Sequence, residues 1–101
     1  MSDPFAAAIA RIFAALGRDA EYEGEDELMC RVIVSHDLTQ WGDVIQVQNN
    51  MAMLSVRKSE IADRPRRGDI FTLATGQEFT VERVMRSDEY EHRVLVTEVE
   101  A

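Results

Sequence analysis

From residue 20 onward the chain is polar and charge-laced, and its strand candidates are short, recurring every eight to twelve residues with turn signals between them. Segments of that length do not make helices that can pack as a bundle. They make strands, and strands in a run bury their faces by closing into a small barrel or stacking as a sandwich. The last third of the chain shows the pattern best. Gly68-Asp69 is a turn into a strand over Ile70 to Ala74, and Thr75-Gly76-Gln77 reverses the chain into Phe79 to Met85. Arg86 to Glu91 forms a polar tip, and Val94 to Val99 closes the meander. Upstream, Leu28 to Ser35 alternates, with Leu28, Cys30, Val32 and Val34 on one face and Met29, Arg31, Ile33 and Ser35 on the other. Met29 and Ile33 on the second face predict partial cover there as well. Ala20 to Glu23 reads as a short edge strand. Val44 to Val56 is less regular: Ile45, Val47, Met51 and Met53 share a parity that Leu54 and Val56 break. A bulge at Ala52 to Leu54 or an interruption at Asn49-Asn50 would reconcile them.

One helix precedes this β body, over 3–17. Ser2 or Asp3 caps the first turn, and Pro4 occupies the first helical position, where its missing N–H is harmless. Phe5, Ile9, Ile12, Phe13 and Leu16 fall on one face, alanines fill the remainder, and Gly17 is placed to end the helix in a left-handed conformation. The expected fold is thus mainly β: an N-terminal amphipathic helix on a small antiparallel barrel or sandwich over 20–101, all in one domain of 101 residues. The apolar helical face has two readings: it seals one end of its own barrel, the favoured one, or it docks on an adjacent protein.

Charge narrows the partners. With 19 acidic against 11 basic side chains the net charge is −8, which disfavours free binding to nucleic acid. The charge is sorted along the chain. Asp19, Glu21, Glu23, Glu25, Asp26 and Glu27 form an acidic block, and Arg57, Lys58, Arg64, Arg66 and Arg67 a basic one. These are either two solvated loops or two complementary edges of a contact between subunits. No apolar stretch approaches the roughly 20 residues that cross a bilayer, and the start lacks the basic region of a secretory signal. A single cysteine, Cys30, allows no internal disulfide and suits a reducing cytoplasm.

Catalytic chemistry finds no footing. Cys30 shares the apolar parity of its strand, and neither His36 nor His92 stands at a metal-ligand spacing from it. No phosphate loop or nucleophile elbow occurs. The tripeptide Arg67-Gly68-Asp69 reads as a turn whose aspartate satisfies the backbone locally. No catalytic, cofactor-binding or metal residue is therefore expected. Leu38 and Trp41, in a polar loop, are candidates for contact with a partner, with Trp41 as either a lid on the core or an interface anchor.

The opening Asp3-Pro4-Phe5-Ala6-Ala7-Ala8, joined to Arg67-Gly68-Asp69-Ile70-Phe71, Gly76-Gln77-Glu78-Phe79-Thr80-Val81 and Asp88, resembles the small head–tail joining proteins of tailed bacteriophages. These are relatives of the lambda head–tail attachment protein, also found in prophages and gene transfer agents. The resemblance rests on order, spacing and total length. It implies a small antiparallel β-barrel with an N-terminal helix and a structural, non-enzymatic role without cofactors. It places the protein in the virion neck, assembled in the bacterial cytoplasm, between the portal or its adaptor and the tail. There it would form a homo-oligomeric ring around passing DNA, although the free subunit can be monomeric. Heterologous contacts close into rings, and the segments 57–67 and 19–27 would face each other across such a contact. A different class of function, a nucleic-acid-binding or regulatory module working through Arg57–Arg67, is weakened by the acidic whole and by the lack of aromatics among the arginines.

Overall fold

The computed structural model describes residues 4–24, 27–36, 38 and 50–99. Among the described residues helix α1 spans Pro4–Leu16, and six strands follow: β1 (Arg18–Glu23), β2 (Glu27–Ser35), β3 (Met51–Arg57), β4 (Ile70–Leu73), β5 (Glu78–Ser87) and β6 (Glu91–Val99). All pairings are antiparallel, and the sheet closes in the order β1-β2-β3-β6-β5-β4. The short segment after the helix is therefore not an edge. β1 begins at Arg18 and pairs on both sides, Ala20 opposite Cys30 on β2 and Leu73 on β4. Closure removes the unpaired N–H and C=O groups that an edge strand would expose.

Alternation fills the barrel. Ala20, Cys30, Val32, Leu54, Val56, Phe71, Phe79, Val81, Val94 and Val96 point inward and are buried together. Phe71 and Phe79 are wholly buried, and each stabilises the fold by roughly 1.5–3 kcal/mol through removal from water. The parity conflict in the third strand has another cause than the expected bulge. β3 runs opposite β6 in unbroken register from Met51–Thr97 to Arg57–Glu91. Ala52, Leu54 and Val56 face the barrel interior, while Met53 faces out and packs with Leu38 and Leu95 in a second apolar cluster. Both faces of β3 are covered, so both parities are apolar. The bulges lie instead in β5, between Val81 and Arg83 and between Val84 and Arg86. The part of the irregular segment before Asn50 lies outside the described residues.

The helix does not seal the barrel's end. It packs against β2 on the outer wall and buries Phe13, which is 1% exposed and lies beneath the Arg57 guanidinium at 5.7 Å from the ring centroid. Ile9 is half-buried, but Phe5, Ile12 and Leu16 stay in solvent at 68%, 49% and 66% exposure. The helix is thus rolled so that one edge of its apolar face carries the packing. Gly17 ends it by close approach rather than by left-handed geometry. Its N–H donates to the Phe13 carbonyl at 2.8 Å, and a Cβ would lie 2.3 Å from that oxygen and 2.7 Å from Cγ of Arg31. Left-handed glycines do occur where the sequence marks turns, at Gly68 (φ 93°) and Gly76 (φ 94°).

Candidate assembly surface

One end of the barrel gathers the β1–β2 connection, the 58–69 connection and the β5–β6 turn. The 58–69 connection closes that end from inside. Its first turn is pinned by the Ile61 N–H to the Arg57 carbonyl (3.0 Å) and the Lys58 N–H to the Tyr90 carbonyl (2.8 Å). This drives Ile61, the only large aliphatic residue in a charged stretch, into the core at 1% exposure. The turn that follows uses its aspartate as the sequence suggests: Asp69 Oδ2 accepts from the Arg66 N–H at 2.8 Å. The same carboxylate accepts from the Tyr22 hydroxyl, latching the connection to β1. Burial, then this bond to Asp69, push the Tyr22 phenol above its ordinary range.

His92 supports the plug from β6. It is 1% exposed, with Nε2 3.0 Å from the Ile61 carbonyl and Nδ1 2.6 Å from Ser87 Oγ. A carbonyl can only accept, so Nε2 carries the proton and Nδ1 accepts from the serine hydroxyl. The ring is neutral. Burial holds its pKa below the ordinary value, the bond to the Ile61 carbonyl opposes this, and Lys58 and Arg64 add to the depression. The unfolded chain therefore binds a proton at His92 before the folded chain does. Stability should fall as pH drops below about 6.5, where an unfolded histidine protonates, and this component should level off below the folded pKa. Urea midpoints at pH 7.5 and pH 5.5 test this: His92→Gln should lose less stability than the parent over that interval.

The cysteine and one of the two histidines are built into the fold. Cys30 is buried in the barrel, and desolvation, helped by Glu60, pushes its thiol up to about 12, far from a thiolate at neutral pH. His36 is exposed, while His92 sits inside the opposite end of the barrel. Asp88 serves the β5–β6 turn, accepting from the Glu91 and Tyr90 N–H groups, and those bonds lower its pKa.

The charged segments meet at the plugged end. Glu21, Glu23 and Glu27 hold their carboxylates within 4.8 Å of one another. None of the three pairs with a cation among the described residues. Glu25 and Asp26 lie outside the described residues. Of the basic segment, Arg57 is committed within the subunit, to Glu60 at 3.3 Å and to the Phe13 ring. Arg64 and Arg66 line a cleft of about 420 Å³ shared with Leu28 and Ile61. Lys58, Arg64 and Arg67 are exposed and form no ion pair with any described residue. Leu38 is 4% exposed against Met53 and Leu95, so it contributes to the subunit's own packing. Trp41 lies outside the described residues. The residues that sequence reasoning missed are Ile61, His92 as its support, and Tyr22 with Asp69 as the latch. The lone isoleucine amid charges was the available signal.

No described element offers an active-site arrangement, and the distinctive features are all surfaces and packing. The model of a family described as phage head-tail attachment protein matches residues 1–99. The chain belongs to that family. No curated protein matches the sequence. The head–tail attachment family is one of structural phage proteins, so this chain works at the junction of head and tail, in the virion neck, through contacts with components on either side. The closed barrel with its N-terminal helix agrees with that role. Among the described residues no helix is long and apolar enough to cross a membrane.

Proposed function

We propose that copies of this head–tail attachment protein assemble as a closed ring between the portal or its adaptor and the tail, with DNA passing through the centre. The observation that carries the reading is the pair of unsatisfied charge sets at one end of the barrel. Glu21, Glu23 and Glu27 stand on the wall made by β1 and β2, and Lys58, Arg64 and Arg67 on the connection from β3 to β4. Surface groups that find no partner among the described residues of a subunit are ones available to the next. The two sets are different patches, so their contact is heterologous, and a heterologous contact that closes makes a ring. Opposed charges also guide encounter and fix register.

The net charge of −8 suits a conduit. A bore that repels phosphate lets a duplex slide, whereas one lined with arginine would hold it through counterion release. Imaging of purified necks tests the proposal. The expected result is a closed ring of copies around an axial channel. An open arc or a single copy would contradict it, and so would salt-dependent capture of duplex DNA by the isolated protein.

A further inference from the structure

Closure of the barrel leaves one side of β2 bare near its start. β2 pairs with β1 from Glu27 to Val32, but with β3 only from Val32 to Ser35. β3 does not follow it further, because the chain turns inward after Arg57: the Lys58 N–H goes to the Tyr90 carbonyl and the Ile61 N–H to the Arg57 carbonyl. Just past the ladder a side chain stands in for the missing strand, and the Arg31 N–H donates to Glu60 Oε1 at 3.3 Å. Backbone groups along an antiparallel strand point to alternate sides. Met29, two residues before Arg31, therefore directs its N–H and C=O the same way, and neither has a backbone partner among the described residues. Met29 is 71% exposed, so this edge stands in solvent. There is room beside it. A recess of about 310 Å³ runs between Met29 and Arg31 on one side and Arg57 and Glu60 on the other. The cleft of about 420 Å³ borders Leu28, on the opposite face of the same strand.

We infer that this edge of β2 takes an extended segment of a neighbouring neck component as an added strand, bonded through the Met29 N–H and C=O. The chemistry of the edge selects the kind of occupant. A strand edge offers main-chain donors and acceptors in series, which another extended backbone matches. Charge does not discriminate here, because the ionic groups alongside are already closed on one another: Arg31 with Asp19 at 3.8 Å and Arg57 with Glu60 at 3.3 Å. A second copy is a poor donor, since its six described strands are engaged in closing its own barrel. The family role sets this chain against head and tail components, and an extended arm of one of these is the occupant. The inference needs contact with such a component and does not depend on closure of a ring.

Met29→Pro separates backbone from side chain. The Met29 N–H points away from β1, so the proline removes the edge donor, and sets its ring in the path of an added strand, without breaking a bond of the barrel. Met29→Pro should lower the number of tail-joined particles about tenfold or more relative to Met29→Ala, which removes the same side chain and keeps the donor. Equal joining by the two variants would overturn the inference. Hydrogen exchange of the parent protein keeps the test open if the urea midpoint shows that the proline variant does not fold. The Met29 amide should exchange fast in the free protein and about tenfold or more slowly in purified necks, while the Cys30 amide, opposite Ala20 of β1, stays slow in both. Rings whose Met29 amide is unprotected would overturn the added strand and leave the ring standing. A photoreactive side chain in place of Met29 identifies the donor, because side chains on adjacent strands lie within reach of one another. A linked peptide from a head or tail component is the expected product, and a link to a second copy of this chain would overturn the assignment.

Discussion

Phe71→Ala should cost the protein a large part of its stability to urea. The side chain is fully buried and packs on Tyr22, with ring centroids 4.8 Å apart. Truncating a buried phenylalanine costs about 3–5 kcal/mol, against a total stability for small domains of about 5–15 kcal/mol. The position amplifies the loss. β4 has four residues and is the strand that joins β1 to β5. Loosening it opens the cylinder and turns β1 and β5 into edges, with unpaired backbone groups. Urea denaturation followed by far-ultraviolet circular dichroism measures the effect. A midpoint shifted by no more than an ordinary surface substitution would show that the barrel does not depend on β4 for closure.

Reversing the basic set, as Lys58→Glu, Arg64→Glu and Arg67→Glu together, should reduce tail-joined particles about tenfold or more, because like charges brought together at an interface cost several kcal/mol. All three side chains are exposed and form no ion pair with any described residue, so folding should be nearly unaffected, within about 0.5 kcal/mol per site. The informative step is the rescue. Adding Glu21→Lys, Glu23→Lys and Glu27→Lys to the same chain exchanges the two patches and should restore joining. Loss without rescue would mean that the basic residues meet something other than the acidic set. Normal joining in the first variant would remove the pairing altogether.

Much of the barrel was legible in the sequence because one face of each strand had to be apolar. Strict alternation in Leu28 to Ser35, and the turn residues Gly68 and Gly76, fixed strands that the structure keeps. What alternation did not reveal was the cover on the second face of β3. Met53 looked like part of a break in register and instead packs with Leu95 against Leu38. Closure was illegible for a related reason: pairing of β1 with β4 is a long-range fact with no local signal in Ala20 to Glu23. The helix shows the limit of periodicity. Phe5, Ile9, Ile12, Phe13 and Leu16 do share a face, yet only Phe13 is buried, because the roll of a helix is set by the wall it meets. In the surface itself, the acidic and basic blocks were visible as composition. Their meeting at one end of the barrel follows from topology, and the removal of Arg57 from the available set follows from its bond to Glu60.

Heads and tails produced without this chain, and then mixed with the purified protein, provide the decisive experiment, with joined particles counted by electron microscopy. Filled heads and separate tails are expected before addition, and joined, infectious particles after it. Normal joining in the chain's complete absence, or heads and tails that stay apart after the folded protein is supplied, would contradict a structural role at the junction.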